Sequence, residues 1–177
     1  MIFHEGTGSY HTTHDPSQKF TVYWLAHVIS HPVEMTSALV GIVGTGILQR
    51  FPGLRVEFCE AGVSWFPYYL YRMDEHFEGR RREVDLELLP SAYFRRQALI
   101  CAFEAGEALY AETLKWFGHR NMAPTPDYPH WDSAGLDVLE RYFNEFEDGP
   151  DERRRYLETN ACDFFGIAPV YDREVPG

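Results

Sequence analysis

The chain has 177 residues, of which 45% are hydrophobic, and this is enough to build the core of a single domain over residues 1–177. Its formal net charge of −11 argues against nucleic acid or an anionic membrane as a partner. No apolar run reaches the roughly 20 residues that a membrane helix needs. The basic runs Arg80–Arg82 and Arg153–Arg155 lie beside acidic residues, which predicts solvated faces rather than phosphate sites.

The number and spacing of the cysteines indicate the redox state of the compartment. Cys59, Cys101 and Cys162 are far apart and form no CxxC pair. An odd number of cysteines without a signal peptide predicts a reduced, cytoplasmic setting.

The first half of the chain alternates between strand and helix patterns. A short strand near 1–4 ends in His4, and the polar stretch after it predicts a long loop, with His11, His14 and Asp15 in it. A helix is predicted over 32–51, with a proline at its initiating position. The segment 54–60 predicts a strand. The aromatic segment 63–77 predicts a helix that carries Pro67 in its first turn.

The alternation continues in the second half. Residues 79–97 are charged and irregular in pattern, and a third strand is predicted near 98–103. A helix over 107–118 and a fourth strand near 120–125 follow. Two more helices are predicted over 132–146 and 151–167. This order predicts an α/β fold with parallel strands and outer helices.

Polar residues stand where each predicted strand ends. They are His4, Glu60, Glu104 and Asp127. In a barrel of parallel strands this rim is where catalytic groups collect, and metal sites need convergent imidazole and carboxylate ligands. Each residue alone also has an ordinary interpretation, because a strand-end carboxylate is usually solvated or bonded to a loop amide.

The segment MAPTPDYPHWDS, residues 122–133, leaves two interpretations open. Asp127 is either a turn former beside prolines or a metal ligand and proton acceptor. His130 either lines the same pocket or makes a hydrogen bond within the turn. Trp65 and Trp131 either wall an aromatic substrate or pack in the core. Further back, Arg72 and Asp74 predict an ion pair on a helix surface or between helices.

Taken together, several segments resemble a known family. FHEGTG, FPGLRVEFCEAGVSWFPYYLYRMD, PSAYFRRQ, TPDYPHWD and ETNACDFFGI resemble, in the same order, the C-terminal half of the amidohydrolase-related metal-dependent hydrolases. That group includes aminocarboxymuconate-semialdehyde decarboxylase and aromatic acid decarboxylases. The resemblance implies the C-terminal half of a TIM-type (β/α)8 barrel. It also implies a small carboxylate as substrate, with an aromatic one among the alternatives, either hydrolysed or decarboxylated without oxidation.

The resemblance also implies roles for individual residues. One divalent metal, usually zinc, is expected at the C-terminal rim, with His4 as a direct ligand. Asp127 would bind the metal or orient an activated water. Glu60 stands where many members carry a catalytic histidine, so it would act as a base, position the substrate or cap the turn.

Two departures from the family shape the remaining expectations. The family's H-x-H pair of metal ligands does not occur, the nearest spacings being His11/His14 and His27/His31. The resemblance begins at the fifth strand, and the length falls short of the roughly 250 residues of such barrels. We therefore expect a truncated reading frame, a split gene or a half-barrel that assembles, as an oligomer or with a complementing N-terminal half. The alternative function is a catalytically inactive half-barrel that serves as an assembly or interaction subunit.

Overall fold

A computed structural model describes residues 1–4, 19–101, 107, 109–118, 120–131, 133 and 149–169. The predicted helix over 132–146 and the rim residue Glu104 lie outside these residues, as do His11, His14 and Asp15. The elements, in chain order, are β1 (Ile2–Phe3), α1 (Tyr23–Gly44), α2 (Ile47–Arg50), β2 (Val56–Cys59), α3 (Trp65–Arg80), a 3-10 turn (Arg81–Glu83), α4 (Pro90–Gln97), β3 (Ala98–Cys101), α5 (Tyr110–Phe117), β4 (Met122–Ala123), α6 (Pro150–Arg154), a π-helical turn (Arg155–Thr159) and α7 (Asn160–Phe165).

The strands form one parallel sheet in the order β1-β2-β3-β4. Glu57 of β2 lies opposite Ile2 on one side and Leu99 on the other. Ile100 of β3 lies opposite Met122 of β4. A helix lies between each strand and the next, as parallel neighbours require. The predicted α/β fold with four parallel strands is confirmed.

Two predictions about the helices are wrong. Helix α1 begins at Tyr23, and Pro32 lies inside it instead of starting it. An internal proline costs a helix about 3 kcal/mol. This helix tolerates it because it buries Ser30 on one side of the proline and Met35 on the other. The stretch 79–97 is not irregular throughout, since it contains α4, which starts at Pro90.

Asp74 explains how α4 begins. Its Oδ1 atom accepts a hydrogen bond of 2.9 Å from the Ser91 backbone N–H, in the first turn of α4. A carboxylate at a helix N-terminus satisfies a free amide and complements the helix dipole. The carboxylate that we expected to pair with Arg72 therefore joins α3 to α4.

The main core lies between one face of the sheet and helices α1, α3 and α4. Its centre is a group of aromatic rings, with Phe94 stacked on Phe66 at 5.3 Å and on Phe58 at 6.2 Å between centroids. Phe117 of α5 meets Phe66 edge-on at 5.0 Å. All four rings are almost inaccessible to solvent. Pairs in these geometries stabilise beyond the area they bury.

The opposite face of the sheet carries a smaller cluster. Leu99 and Cys101 alternate along β3 with core residues, so they point the other way. Ala161 and Phe164 of α7 pack against them. No helix in the described part of the chain is long and apolar enough to span a bilayer.

Candidate active site

Glu60 is placed by a tight turn after β2. Its backbone N–H bonds to the carbonyl of Cys101 at 2.8 Å, continuing the β2–β3 pairing by one residue. Glu60, Ala61 and Gly62 then all adopt left-handed backbone conformations, with φ of 66°, 64° and 69°. For a residue other than glycine this conformation costs about 1–2 kcal/mol. Backbone strain of this kind clusters at functional sites.

Glu107, from the loop after β3, holds the next part of the same turn. Its Oε2 accepts from the Val63 backbone N–H at 2.9 Å, and its Oε1 accepts from that of Ser64 at 2.6 Å. These two amides lie at the N-terminal end of α3 and have no partner within the helix. A single carboxylate thus ties the β2 loop to the β3 loop.

Trp65 supports this turn from the core side. Its Nε1–H donates to the carbonyl of Gly62 at 2.9 Å. Its indole meets Phe58 and Phe66 edge-on at 6.4 and 6.2 Å between centroids. Trp65 therefore packs beneath the loop, and a role in lining a substrate pocket stays a prediction.

The Glu60 carboxylate lies between two imidazoles. Its Oε1 is 2.7 Å from Nε2 of His4, which follows β1, and its Oε2 is 3.1 Å from Nε2 of His31 on α1. The hydrogen bond with His31 does most to hold the pKa of Glu60 at about 2, with help from His4 and against partial burial. An ionised carboxylate only accepts hydrogen bonds. Each Nε2 therefore carries the proton that Glu60 accepts.

Helix α1 extends this group into an aromatic row. Tyr23, His27 and His31 are spaced four residues apart, so they share one face of the helix. Their ring centroids are 5.3 Å apart for Tyr23 and His27, and 4.7 Å apart for His27 and His31. Trp131, from the segment after β4, packs on His27 at 5.6 Å. The row therefore connects the β1 and β2 ends of the site to the β4 end.

Asp127 and His130 form a local pair in the segment after β4. The Oδ2 atom of Asp127 is 3.0 Å from Nδ1 of His130, and the backbone N–H of His130 donates to the carbonyl of Asp127 at 2.9 Å. Asp127 adopts a left-handed backbone with φ of 54°. The His130 side chain is 66% exposed, so it is open to a ligand while it is also bonded within the turn.

The structure thus brings two pairs of expected site residues into contact, His4 with Glu60 and Asp127 with His130. Trp131 joins them through His27. Over the described ranges, no group of three or more His, Cys, Asp or Glu side chains could hold a metal ion, and the Glu60 oxygens are already bonded to the two imidazoles. In addition, Nε2 of His4 holds a proton towards Glu60 and cannot ligate a metal in that state. The described residues on their own do not fit a metal centre.

Sequence reasoning missed three residues of this site. The predicted helix began at Pro32, so His27 and His31 lay before it. Their spacing was therefore compared only with the H-x-H pair and did not indicate a shared helix face. A helix start before Pro32 would have placed both on one face, four residues apart. Glu107 carried no local signal, since its partners Val63 and Ser64 lie in another loop.

A family model described as Amidohydrolase matches residues 11–167. The chain is 26% identical over 151 residues to the 2-amino-3-carboxymuconate-6-semialdehyde decarboxylase of Dictyostelium discoideum. This match covers 83% of the chain and 41% of that relative.

Two solved structures share the fold. The 5-carboxyvanillate decarboxylase LigW from Sphingomonas paucimobilis matches with a TM-score of 0.68 and 24% identity, over 86% of this chain and 46% of that one. A 5-carboxyvanillate decarboxylase from Novosphingobium aromaticivorans, complexed with manganese and 4-hydroxy-3-methoxy-5-nitrobenzoic acid, matches with a TM-score of 0.64 and 21% identity. That match covers 77% of this chain and 40% of the other. The chain thus spans less than half the length of these relatives, and its sheet is part of a barrel of their kind.

Proposed function

Since this chain belongs to the Amidohydrolase family, we propose that it carries part of the active site of a non-oxidative decarboxylase that acts on a small aromatic carboxylate. The decarboxylases named among its relatives support decarboxylation over hydrolysis. The observation that carries the proposal is the Glu60 carboxylate between two imidazoles at the C-terminal ends of the strands. In α/β barrels, reacting groups collect at this end.

Glu60 has a defined task in this reaction. Decarboxylation breaks the bond between a carbon and its carboxylate, and the electron pair of that bond must receive a proton as carbon dioxide leaves. Glu60 stays ionised and keeps a proton on the Nε2 atoms of His4 and His31. An imidazole can pass such a proton to the substrate carbon and regain one from solvent, which balances the reaction without an oxidant.

The aromatic row would recognise the ring of the substrate. Trp131 is 74% exposed and faces His27, so part of its surface is available for stacking. Aromatic rings prefer offset or edge-on contacts with one another. His130, which is open beside Asp127, would complete this side of the pocket.

A divalent metal belongs to the proposed complete site, and manganese is named for one neighbour. His4 and Asp127 are the ligands that we propose from this chain, with His4 giving up the Nε2 proton that it donates to Glu60 when the metal binds, and His31 keeping the proton for the reaction. Catalytic zinc sites usually have three protein ligands. Further ligands would therefore come from residues beyond the described ones or from another chain.

The test is an assay of the 177-residue chain with added Mn²⁺ or Zn²⁺ and 5-carboxyvanillate, in which released carbon dioxide is measured by mass spectrometry. Glu60→Gln should lower the rate by about 100-fold or more, the usual contribution of a placed proton-transfer group. Glu78→Gln is the matched control, because Glu78 is exposed near the end of α3. Wild-type activity that Glu60→Gln leaves unchanged would refute the role of Glu60, and a wild type without activity would refute decarboxylation by this chain on its own.

One observation favours the alternative of an inactive subunit for assembly or interaction, namely that the described residues contain no group of three His, Cys, Asp or Glu side chains that could hold a metal ion. That alternative predicts no carbon dioxide release and little metal after dialysis against a chelator. Stoichiometric metal retained by the wild type and lost in His4→Ala and Asp127→Ala would contradict it. Metal content can be measured by mass spectrometry on the same preparations.

A further inference from the structure

Arginines precede three of the four parallel strands. Arg55 comes directly before β2, Arg95 and Arg96 end α4 just before β3, and Arg120 stands two residues before β4. The amino ends of parallel strands meet at one edge of the sheet, so these side chains converge there. This edge is opposite to the one that carries Glu60.

The structure contains a cavity of about 150 Å³ at this edge. It could hold about five waters, at roughly 30 Å³ each. Arg155, from the π-helical turn after α6, joins the four arginines in the cavity wall. This residue belongs to a basic run for which the sequence predicted a solvated face. It is exposed, and it also faces the cavity.

Among the described residues, little negative charge lies opposite these arginines. Within the described residues, no carboxylate lies within ion-pair distance of Arg55, Arg120 or Arg155. Arg95 donates to the carbonyl of Phe117, and Arg96 donates to the carbonyl of Leu48 and to an amide oxygen. These acceptors are neutral. Asp163 is the acidic residue in the described wall.

The floor of the cavity is rigid. Asn121 and Asn160 are each 5% exposed, and Gln97 is 3% exposed. The Asn121 amide donates to the carbonyl of Ala98 at 2.7 Å, and the Asn160 amide donates to that of Met122 at 2.8 Å. The Gln97 amide donates to two carbonyls at 3.0 Å. These bonds join β3, β4 and α7 to one another and join the end of α4 to the segment before β2, so the arginines project from a preformed frame.

We propose that this cavity binds a small multivalent oxyanion, with phosphate or polycarboxylate oxygens held by the arginine side chains. The guanidinium group presents N–H donors in a fork that matches the oxygens of such anions. Five arginines line this one cavity, although the net charge of the chain is −11. They make the cavity a local region of positive charge on an acidic protein. The site is distinct from the Glu60 site and does not depend on the proposed reaction.

The experiment is isothermal titration of the 177-residue chain with inorganic pyrophosphate, and separately with citrate, at low ionic strength. One anion per chain should bind. Arg120→Gln and Arg155→Gln should each weaken binding by about tenfold or more, as the loss of a charge-assisted bond does. Arg82→Gln is the matched control, because Arg82 is exposed in the 3-10 turn away from the cavity.

Weaker binding by an arginine variant could also result from loss of folding, and Asp163→Asn distinguishes the two causes. Removing this carboxylate should tighten anion binding by several-fold, which an unfolded variant could not do. Circular dichroism on each variant checks that the fold is intact. The proposal is overturned if neither anion binds the wild type. It is also overturned if Arg82→Gln weakens binding as much as Arg120→Gln, or if Asp163→Asn leaves binding unchanged.

Discussion

Protonation of Glu60 should destabilise the protein in acid. The structure gives the sign and the approximate size of this change in the free energy of unfolding. The pKa of Glu60 falls from its ordinary value of 4.5 to about 2 because both of its oxygens are bonded to imidazoles. A carboxyl group with a lowered pKa stabilises the fold above pH 4.5. This stabilisation is lost as the pH falls towards 2. The full difference corresponds to about 3 kcal/mol.

Solvent reduces this figure. The Glu60 side chain is 20% exposed and the His4 side chain is 51% exposed, so water screens the pairing. We expect about 2 kcal/mol at pH 6, of which more than half should be lost by pH 3.

The assay is urea unfolding followed by tryptophan fluorescence, at pH 6 and pH 3, with a chelator present to remove metal. Other carboxylates also titrate over this range, so the informative quantity is the difference between wild type and Glu60→Gln. The variant should be less stable by about 2 kcal/mol at pH 6, and by less than half of this at pH 3. Glu78→Gln should have the same free energy of unfolding as the wild type at both pH values. An unchanged difference between wild type and Glu60→Gln across the two pH values would refute the reasoning.

Two further predictions concern stability. Phe58→Ala should lower the free energy of unfolding by about 3–5 kcal/mol, because Phe58 is fully buried. Phe51 is 57% exposed, so Phe51→Ala should lower it much less. Equal losses in urea unfolding would contradict the assigned core. Glu107→Gln should cost about 1–2 kcal/mol, because it removes the charge that holds two helix amides. Glu112→Gln, at an exposed residue of α5, is its control. A thermal melt of Glu107→Gln that overlays the wild type would rule out this role.

The sequence by itself determined the four parallel strands and the strand ends at which the candidate site residues stand. Runs such as VEFC and ALIC are short and apolar, and helical patterns separate them, which leaves few arrangements other than a parallel sheet. His4, Glu60 and Asp127 were placed at strand ends for the same reason, because position along a strand is a local property. Their roles in catalysis or metal binding remain predictions.

Local patterns gave the wrong answer where tertiary contacts outweighed propensity. Pro32 is a strong signal for a helix start, but burial on both sides of it stabilises a helix that runs through it. The charged stretch before β3 has little apolar periodicity, yet Asp74 from α3 and the burial of Phe94 order α4 within it.

Only the tertiary structure decided which side chains meet. Glu60 contacts His4 and His31, and Glu107 contacts Val63 and Ser64, and no spacing in the sequence encodes either meeting. The convergence of Arg55, Arg120 and Arg155 on one cavity is of the same kind. Strand and helix patterns depend on neighbours a few residues away, whereas these contacts depend on how the sheet and its helices pack in three dimensions.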